Sequence, residues 1–326
     1  MSTPTYDVLG IGNALVDVLA KCDQKFVEDQ GRTHGMIKNS MNLIPEQRAI
    51  ELYALMGPAV EMSGGSAANT IAHLAALGGR GAFIGKVADD QLGEVFRHDL
   101  RAMGIDFDTT PLILGPKTGR SLILVTPDAI RTMNTYLGAA TELRPEDIDP
   151  AQIGAAAITF LEGYLFDQPH SKKAFFAAGG YAHSAGRRVA LTLSDSFCVA
   201  RHRDDFITLI TETIDILFAN EHELKDLAQT DDLTAALKFI EPKCDIVAVT
   251  LGDKGSLVLA DGQKTTVPPV PVTQVVDTTG AGDAYAAGFL YGLTHQKSWA
   301  ECGAIASKAA ASVLGYMGPR PLKKAA

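Results

Sequence analysis

Short apolar runs rich in β-branched residues recur along the chain at 6–11, 81–87, 157–161, 189–193, 214–219 and 246–250. Each has the length of a buried strand. Segments of helical character at 66–77, 92–103, 171–185 and 233–240 lie between several of them. Strands that are apolar on both faces and separated by helices fit a mostly parallel sheet, because helical crossovers join parallel neighbours and cover their faces. The alternation therefore predicts an α/β core. Two stretches break it, 31–45 and 110–137, and within the second the segments 121–125 and 132–136 resemble exposed strands. Together they predict a small β-sheet lid inserted in the core, placed to close over the strand ends and exclude water. Such edges could pair between subunits or simply cover a site, so a monomer and a homodimer are both compatible with the pattern.

Composition removes several function classes. At 46% hydrophobic and 21% charged, the chain has the make-up of a soluble globular protein with a substantial core. A net charge of −9 opposes nucleic-acid binding, which rests on clustered Lys and Arg. Cys22, Cys198, Cys244 and Cys302 are far apart and form no Cys-x-x-Cys, which argues against a zinc site or a disulfide framework and suits a reducing cytoplasm. The uncharged stretch 62–79 approaches membrane-span length but contains Gly64, Gly65, Ser66, Asn69, Thr70 and His73, so it reads as a loop and a buried helix. No secretory signal is evident at the start, and a cytoplasmic location without membrane contact is expected.

The densest chemical signal is Asp277-Thr278-Thr279-Gly280-Ala281-Gly282-Asp283. A strand-like stretch rich in Val, Thr and Pro, 265–276, precedes it and an Ala-, Tyr- and Leu-rich helical pattern follows, so its glycines fall at a helix N-terminus. Amides of Gly280, Ala281, Gly282 and Asp283 can approach a phosphate there, with the helix dipole favouring its charge. A carboxylate beside an anion pocket would repel the anion, and Asp283 makes better sense as a base that takes a proton from an attacking hydroxyl. A capped turn would also explain a single Gly-x-Gly, but not the whole heptad.

Other candidates follow strand-like runs. Asp17 can grip vicinal hydroxyls with its two oxygens and Asn13 can add a donor and an acceptor, although a solvated loop Asp is an equal reading. The Gly10-x-Gly12 pair lacks the third glycine of a dinucleotide fingerprint, Leu15 standing in that place. Gly64 and Gly65 permit close backbone approach ahead of a helix, and Asn69 lies about one turn into it, able to reach a ligand hydroxyl or only the local backbone. Asn220 and Glu223 can order a magnesium water shell or can simply cap a helix. Thr250, Gly252 and Gly255 could hold a nucleotide or form a hairpin turn. Arg131, in the lid, matches phosphate geometry, against the leading reading of an exposed lid arginine. His73 is a packed helix histidine with no assigned role.

The order Gly64-Gly65, Asn220-x-x-Glu223, Thr250-x-Gly252 and Asp277 to Asp283 resembles the ribokinase-like (PfkB) carbohydrate and nucleoside kinases over nearly the whole chain. With Gly12 to Asp17 it looks most like their adenosine-kinase branch. The resemblance implies one domain over 1–326, a three-layer α/β/α core with a small β lid, ATP and Mg2+, and phosphoryl transfer to the 5'-hydroxyl of a purine nucleoside. A sugar such as ribose, fructose or a related acid is the alternative acceptor. It implies Asp283 as base, the Gly280 to Asp283 amides as anion hole, and Asp17, Gly65 and Asn69 at the sugar. Asn220 and Glu223 match the magnesium-phosphate motif, Thr250 and Gly252 the donor nucleotide, and the helix around 306–313 the donor adenine. Phe197 is implied as a base-stacking residue, with a core Phe as the competing reading. Asp277 could contribute to a K+ site. A non-catalytic nucleotide binder would have little need for Asp283, and an NAD-dependent oxidoreductase lacks its fingerprint.

Overall fold

The computed structural model describes residues 3–128 and 130–321. Eight strands form the large sheet in the order β13-β12-β11-β10-β9-β8-β1-β5. Its parallel part comprises β1 (Tyr6–Ile11), β5 (Gly81–Ile84), β8 (Ala156–Glu162), β9 (Arg188–Thr192), β10 (Ile216–Asn220) and β11 (Ile246–Thr250). Two antiparallel strands, β12 (Ser256–Ala260) and β13 (Gln263–Val267), finish one edge. Side chains alternate between the two faces with the strand period. Val8, Phe160, Ala190, Phe218 and Ala248 enter one core, which includes residues of the helices Ser66–Ala76 and Ala281–Thr294. Leu9, Leu161, Leu191, Leu217 and Val249 enter the other, with the helices Pro169–Ser184 and Ser196–Thr213. The fold is thus the anticipated three-layer α/β/α sandwich.

The second sheet is wider than the two interrupting stretches suggested. Its order is β3-β7-β6-β2-β4, from β2 (Leu15–Lys21), β3 (Met41–Leu43), β4 (Ala59–Gly64), β6 (Thr118–Val125) and β7 (Arg131–Gly138). Asp17 therefore lies within a strand and not in a loop, and the chain before Gly65 is strand as well. The segment 31–45 contributes only β3, since 31–34 complete the helix Gln24–His34. Residues 121–125 are buried and not exposed: Leu122 and Leu124 join the main core, while Ile123 and Val125 cluster with Leu19 on the other face. The strand itself falls where the sequence places it; its exposure does not, and the run 122–125 without polar alternation is the mark of burial on both faces.

The chain before the Asp277 heptad also differs from expectation. Strand β13 ends at Val267, and the proline-containing segment 268–276 carries no strand before the helix begins at Ala281. Proline cannot donate to a sheet ladder, which accounts for the early end.

Candidate active site

Five adjacent parallel strands end on one cavity of about 620 Å³. Asn13 follows β1, Glu162 ends β8, Thr192 ends β9, Asn220 ends β10 and Thr250 ends β11, and all five line it. This is the carboxyl end of an open α/β sheet, next to β1, where the chain reverses its direction of strand addition and leaves a crevice. Strands of the second sheet form the roof through Leu15, Asp17, Ser121, Ile123, Arg131, Met133 and Thr135. A larger depression of about 730 Å³ lies at the opposite strand ends, around Asp215, Asp245 and Trp299, and holds none of the candidate residues.

Asp283 lies in the first turn of the helix Ala281–Thr294, whose N-cap is Gly280. Gly280 has φ 75°, and a Cβ there would press on Pro319, so the turn requires glycine. The Ala281 amide bonds the Thr278 carbonyl at 3.3 Å. Gly282 and Asp283 follow within the turn where N–H groups have no intrahelical acceptor. Of the anticipated anion-hole residues, Gly280, Gly282 and Asp283 line the cavity together with Thr278 and Thr279, whereas Ala281 does not. Ser66 Oγ donates to one Asp283 oxygen at 2.6 Å and Asn69 Nδ2 to the other at 3.0 Å. Enclosure by protein pushes the Asp283 carboxyl up to about 6, with these two donors and the Arg320 charge opposing the rise.

Asp17 is 5% exposed and, among the described residues, its carboxylate has no hydrogen-bond or ion-pair partner. Burial lifts its carboxyl to about 7, Arg320 opposing and Asp283 adding to the shift. A buried carboxylate facing a cavity without donors is a place for ligand hydroxyls. Gly64 is opposite, and a Cβ on it would collide with the Asp17 carboxylate. Gly65 has φ 91° and its Cβ would strike the Asn13 carbonyl. The two glycines thus bring β4 and the β1–β2 connection together around the cavity.

Three polar residues of this region were missed in the sequence. Ser66 holds Asp283. Glu162 receives Asn13 Nδ2 at 2.7 Å and the Asn13 and Ala67 amides at 3.2 and 2.8 Å, so it orients Asn13. Its carboxyl is pushed up to about 7 by burial despite these donors. Arg320 bonds the Ser63 and Ala68 carbonyls, each at 2.7 Å. A strand-terminal carboxylate is a recognisable signal for Glu162, but nothing local marks Ser66 or Arg320, whose partners are distant in sequence.

The remaining candidates separate. Asn220 and Glu223 form a reciprocal capping box, with Asn220 Oδ1 accepting from the Glu223 amide at 2.9 Å and Glu223 Oε2 from the Asn220 amide at 2.9 Å. Both line the cavity, and burial lifts the Glu223 carboxyl to about 7. Their oxygens suit magnesium, and because each is already engaged, contact through retained water fits better than direct ligation. No group of three or more His, Cys, Asp or Glu that could hold a metal occurs among the described residues. Thr250 lines the cavity, but Gly252 and Gly255 do not; they form the turn between antiparallel β11 and β12, and a Cβ on Gly255 would strike the Val267 carbonyl. Arg131 is not an exposed lid arginine. Its Nε pairs with Asp277 at 2.6 Å, while its terminal nitrogens donate to Thr278 and Thr279. Asp277 also accepts from the Thr279 and Gly318 amides, each at 2.8 Å, so an internal cation stands beside this carboxylate. Phe197 is 67% exposed and belongs to a neighbouring pocket with Met36 and Leu43, outside the main cavity. Ala306, Ala309 and Val313 are buried in the helix Trp299–Val313 and do not line it. His73 is buried as expected, bonded to the Pro319 carbonyl at 2.8 Å.

The chain is similar to known kinases in sequence and fold. The profile of the pfkB family carbohydrate kinases matches residues 42–325. The structure of adenosine kinase from Sinorhizobium meliloti is 52% identical, with TM-score 0.92 over 97% of this chain and 96% of that one. A probable sugar kinase from Rhizobium etli is 46% identical, with TM-score 0.93 over 98% and 96% of the two chains. A 5-dehydro-2-deoxygluconokinase from Geobacillus kaustophilus is 30% identical over 71% of this chain and 72% of its own. The chain belongs to the pfkB carbohydrate kinase family and is a phosphotransferase with an alcohol acceptor.

Proposed function

We propose that this pfkB-family kinase transfers the γ-phosphate of ATP to the 5'-hydroxyl of a purine nucleoside, adenosine foremost. The observation that carries the reading is Asp283, a carboxylate oriented at both oxygens by Ser66 and Asn69 at the mouth of a helix N-terminus. An alcohol reaching that carboxylate would give up its proton as its oxygen attacks, while the first-turn amides meet the charge on the migrating phosphoryl group. Asp17 would accept hydrogen bonds from the sugar hydroxyls, with Asn13, held by Glu162, beside them. Asn220 and Glu223 would hold Mg2+ through water; when bound, the ion neutralises phosphate charge.

A nucleoside is favoured over a bare sugar by the cavity walls. Leu15, Ile123, Met133, Leu137, Tyr164 and Phe218 give it apolar wall area suited to a flat base. The 52% identity to an adenosine kinase supports the same choice. A sugar or sugar-acid acceptor is the second reading, favoured by the likeness to 5-dehydro-2-deoxygluconokinase. ATP consumption measured with adenosine, guanosine, inosine, cytidine, ribose and fructose decides between them. The kcat/KM for adenosine should exceed that of each sugar by at least about a hundredfold, since a bare sugar forgoes burial of the whole base against the apolar walls. Preference for a sugar overturns it.

A further inference from the structure

The segment Gly318-Pro319-Arg320 passes Gly280, with Pro319 against it, and is tied at three points. The Gly318 amide bonds Asp277, the Pro319 carbonyl bonds His73, and the Arg320 guanidinium bonds the carbonyls of Ser63 and Ala68. Those two carbonyls bracket the Gly64-Gly65-Ser66 turn, and Ala68 immediately precedes Asn69. Both donors that orient Asp283 therefore stand on backbone that Arg320 clamps. Among the described residues, Arg320 Nη2 is buried without a hydrogen-bond partner, as is Asn69 Oδ1. An arginine clamp for two carbonyls uses only part of its donors, and its full charge is unnecessary for that task.

The charged and titratable groups facing the guanidinium come from four elements. Asp17 comes from β2, Asp283 from the helix Ala281–Thr294, Asp99 from the helix Gln91–Ala102 and His73 from the helix Ser66–Ala76. None of them forms an ion pair with Arg320 within 4.0 Å among the described residues, so its charge acts on them across space. Asp99 has a separate task, accepting from the Ser63 amide at 2.9 Å. His73 is held neutral by burial, its own value pushed down to about 4. The charge thus falls mainly to Asp17 and Asp283, two of the carboxylates that line the cavity.

We propose that Arg320 is a positioning residue for phosphoryl transfer, clamping the Gly64–Asn69 turn and supplying the buried positive charge that keeps Asp17 and Asp283 ionised as hydroxyl acceptor and base. This rests on the reading of Asp283 as the base. A clamp without an electrostatic role would lower turnover at every pH alike. The electrostatic role also moves the acid limb of the pH profile, because losing a nearby positive charge makes a carboxylate harder to ionise.

The test compares wild type, Arg320→Met and Arg320→Lys, using the acceptor that wild type turns over best. For Arg320→Met, kcat/KM at pH 7 falls about tenfold or more, and its acid limb moves up by about one pH unit. Arg320→Lys returns the limb close to wild type while leaving kcat reduced, since an ammonium keeps the charge but cannot fork to two carbonyls. If Arg320→Met does not fold, a wild-type limb together with wild-type kcat in Arg320→Lys overturns the clamp. A folded Arg320→Met with an unmoved limb overturns the electrostatic role. Carboxyl 13C NMR of the free proteins follows Asp17 and Asp283 independently of turnover. If no acceptor is phosphorylated, the functional reading fails, while an upward move of both carboxyl midpoints in either variant relative to wild type, larger for Met than for Lys, still upholds the charge effect of Arg320, and unmoved midpoints refute it.

Discussion

Replacing Asp283 with Asn should make the protein a worse enzyme and a more stable one. The substitution keeps shape and the capacity for both side-chain contacts: the amide oxygen accepts from Asn69, and Ser66 can turn its hydroxyl to accept from the amide nitrogen. What disappears is the ability to take a proton. General-base removal costs about a hundred- to ten-thousand-fold in rate, or about 3–5 kcal/mol in the barrier. Stability moves the other way. The carboxyl is held up at about 6 against its ordinary 3.8, so the folded protein binds this proton more tightly than the unfolded chain. The penalty for ionisation then grows as pH rises past the unfolded value and is complete above the folded one, at about 3 kcal/mol. The paired assay is single-turnover ADP formation and urea unfolding, both at pH 7.5. Asp283→Asn should lose at least a hundredfold in kcat with little change in the KM for ATP, while its unfolding free energy rises by up to about 3 kcal/mol. Turnover within tenfold of wild type would refute the base; an equal fall in stability would refute the view that this carboxylate is held at a cost.

Further outcomes are expected. Asp17→Ala should raise the acceptor Kd at least about tenfold, by loss of charge-assisted hydrogen bonds, and leave the ATP Kd unchanged in calorimetry. Equal losses would contradict its role. Gly65→Ala forces a side chain into the left-handed region and against Asn13, so unfolding in urea should show a loss of at least about 1–2 kcal/mol, with weaker acceptor binding. In wild type, kcat/KM should rise with pH between about 5.5 and 7.5 as Asp283 and Asp17 lose their protons, with Asp17→Ala removing the upper part of the rise. Arg131→Met leaves Asp277 buried with no counter-charge and should lower stability by about 3 kcal/mol, which Arg131→Lys recovers in part.

What could be read in advance divides along physical lines. The α/β core was legible because strands buried on both faces are continuous apolar runs, and the helix N-terminus at Gly280 because glycine there answers a local backbone demand. The strands around Asp17 and 59–64 were not, since Asp17 interrupts an apolar run only because a cavity receives it. The same limit hid Ser66, Glu162 and Arg320, whose importance comes from partners 217, 149 and 257 positions away. Asn220 and Glu223 could be read as a helix cap or as cavity residues, and they are both. Gly252 and Gly255 sit in the β11–β12 turn, and because a glycine required by a hairpin looks, in sequence, like one required by a phosphate, the sequence carried both readings.

The central claim is that Asp283 receives the proton of the alcohol that attacks the phosphate. A crystal structure with adenosine and a non-hydrolysable ATP analogue tests it most directly. The 5'-oxygen is expected within about 2.6–3.2 Å of an Asp283 oxygen, and the terminal phosphate against the amides of Gly282 and Asp283. An acceptor hydroxyl bound elsewhere, with both Asp283 oxygens still held only by Ser66 and Asn69, would contradict it.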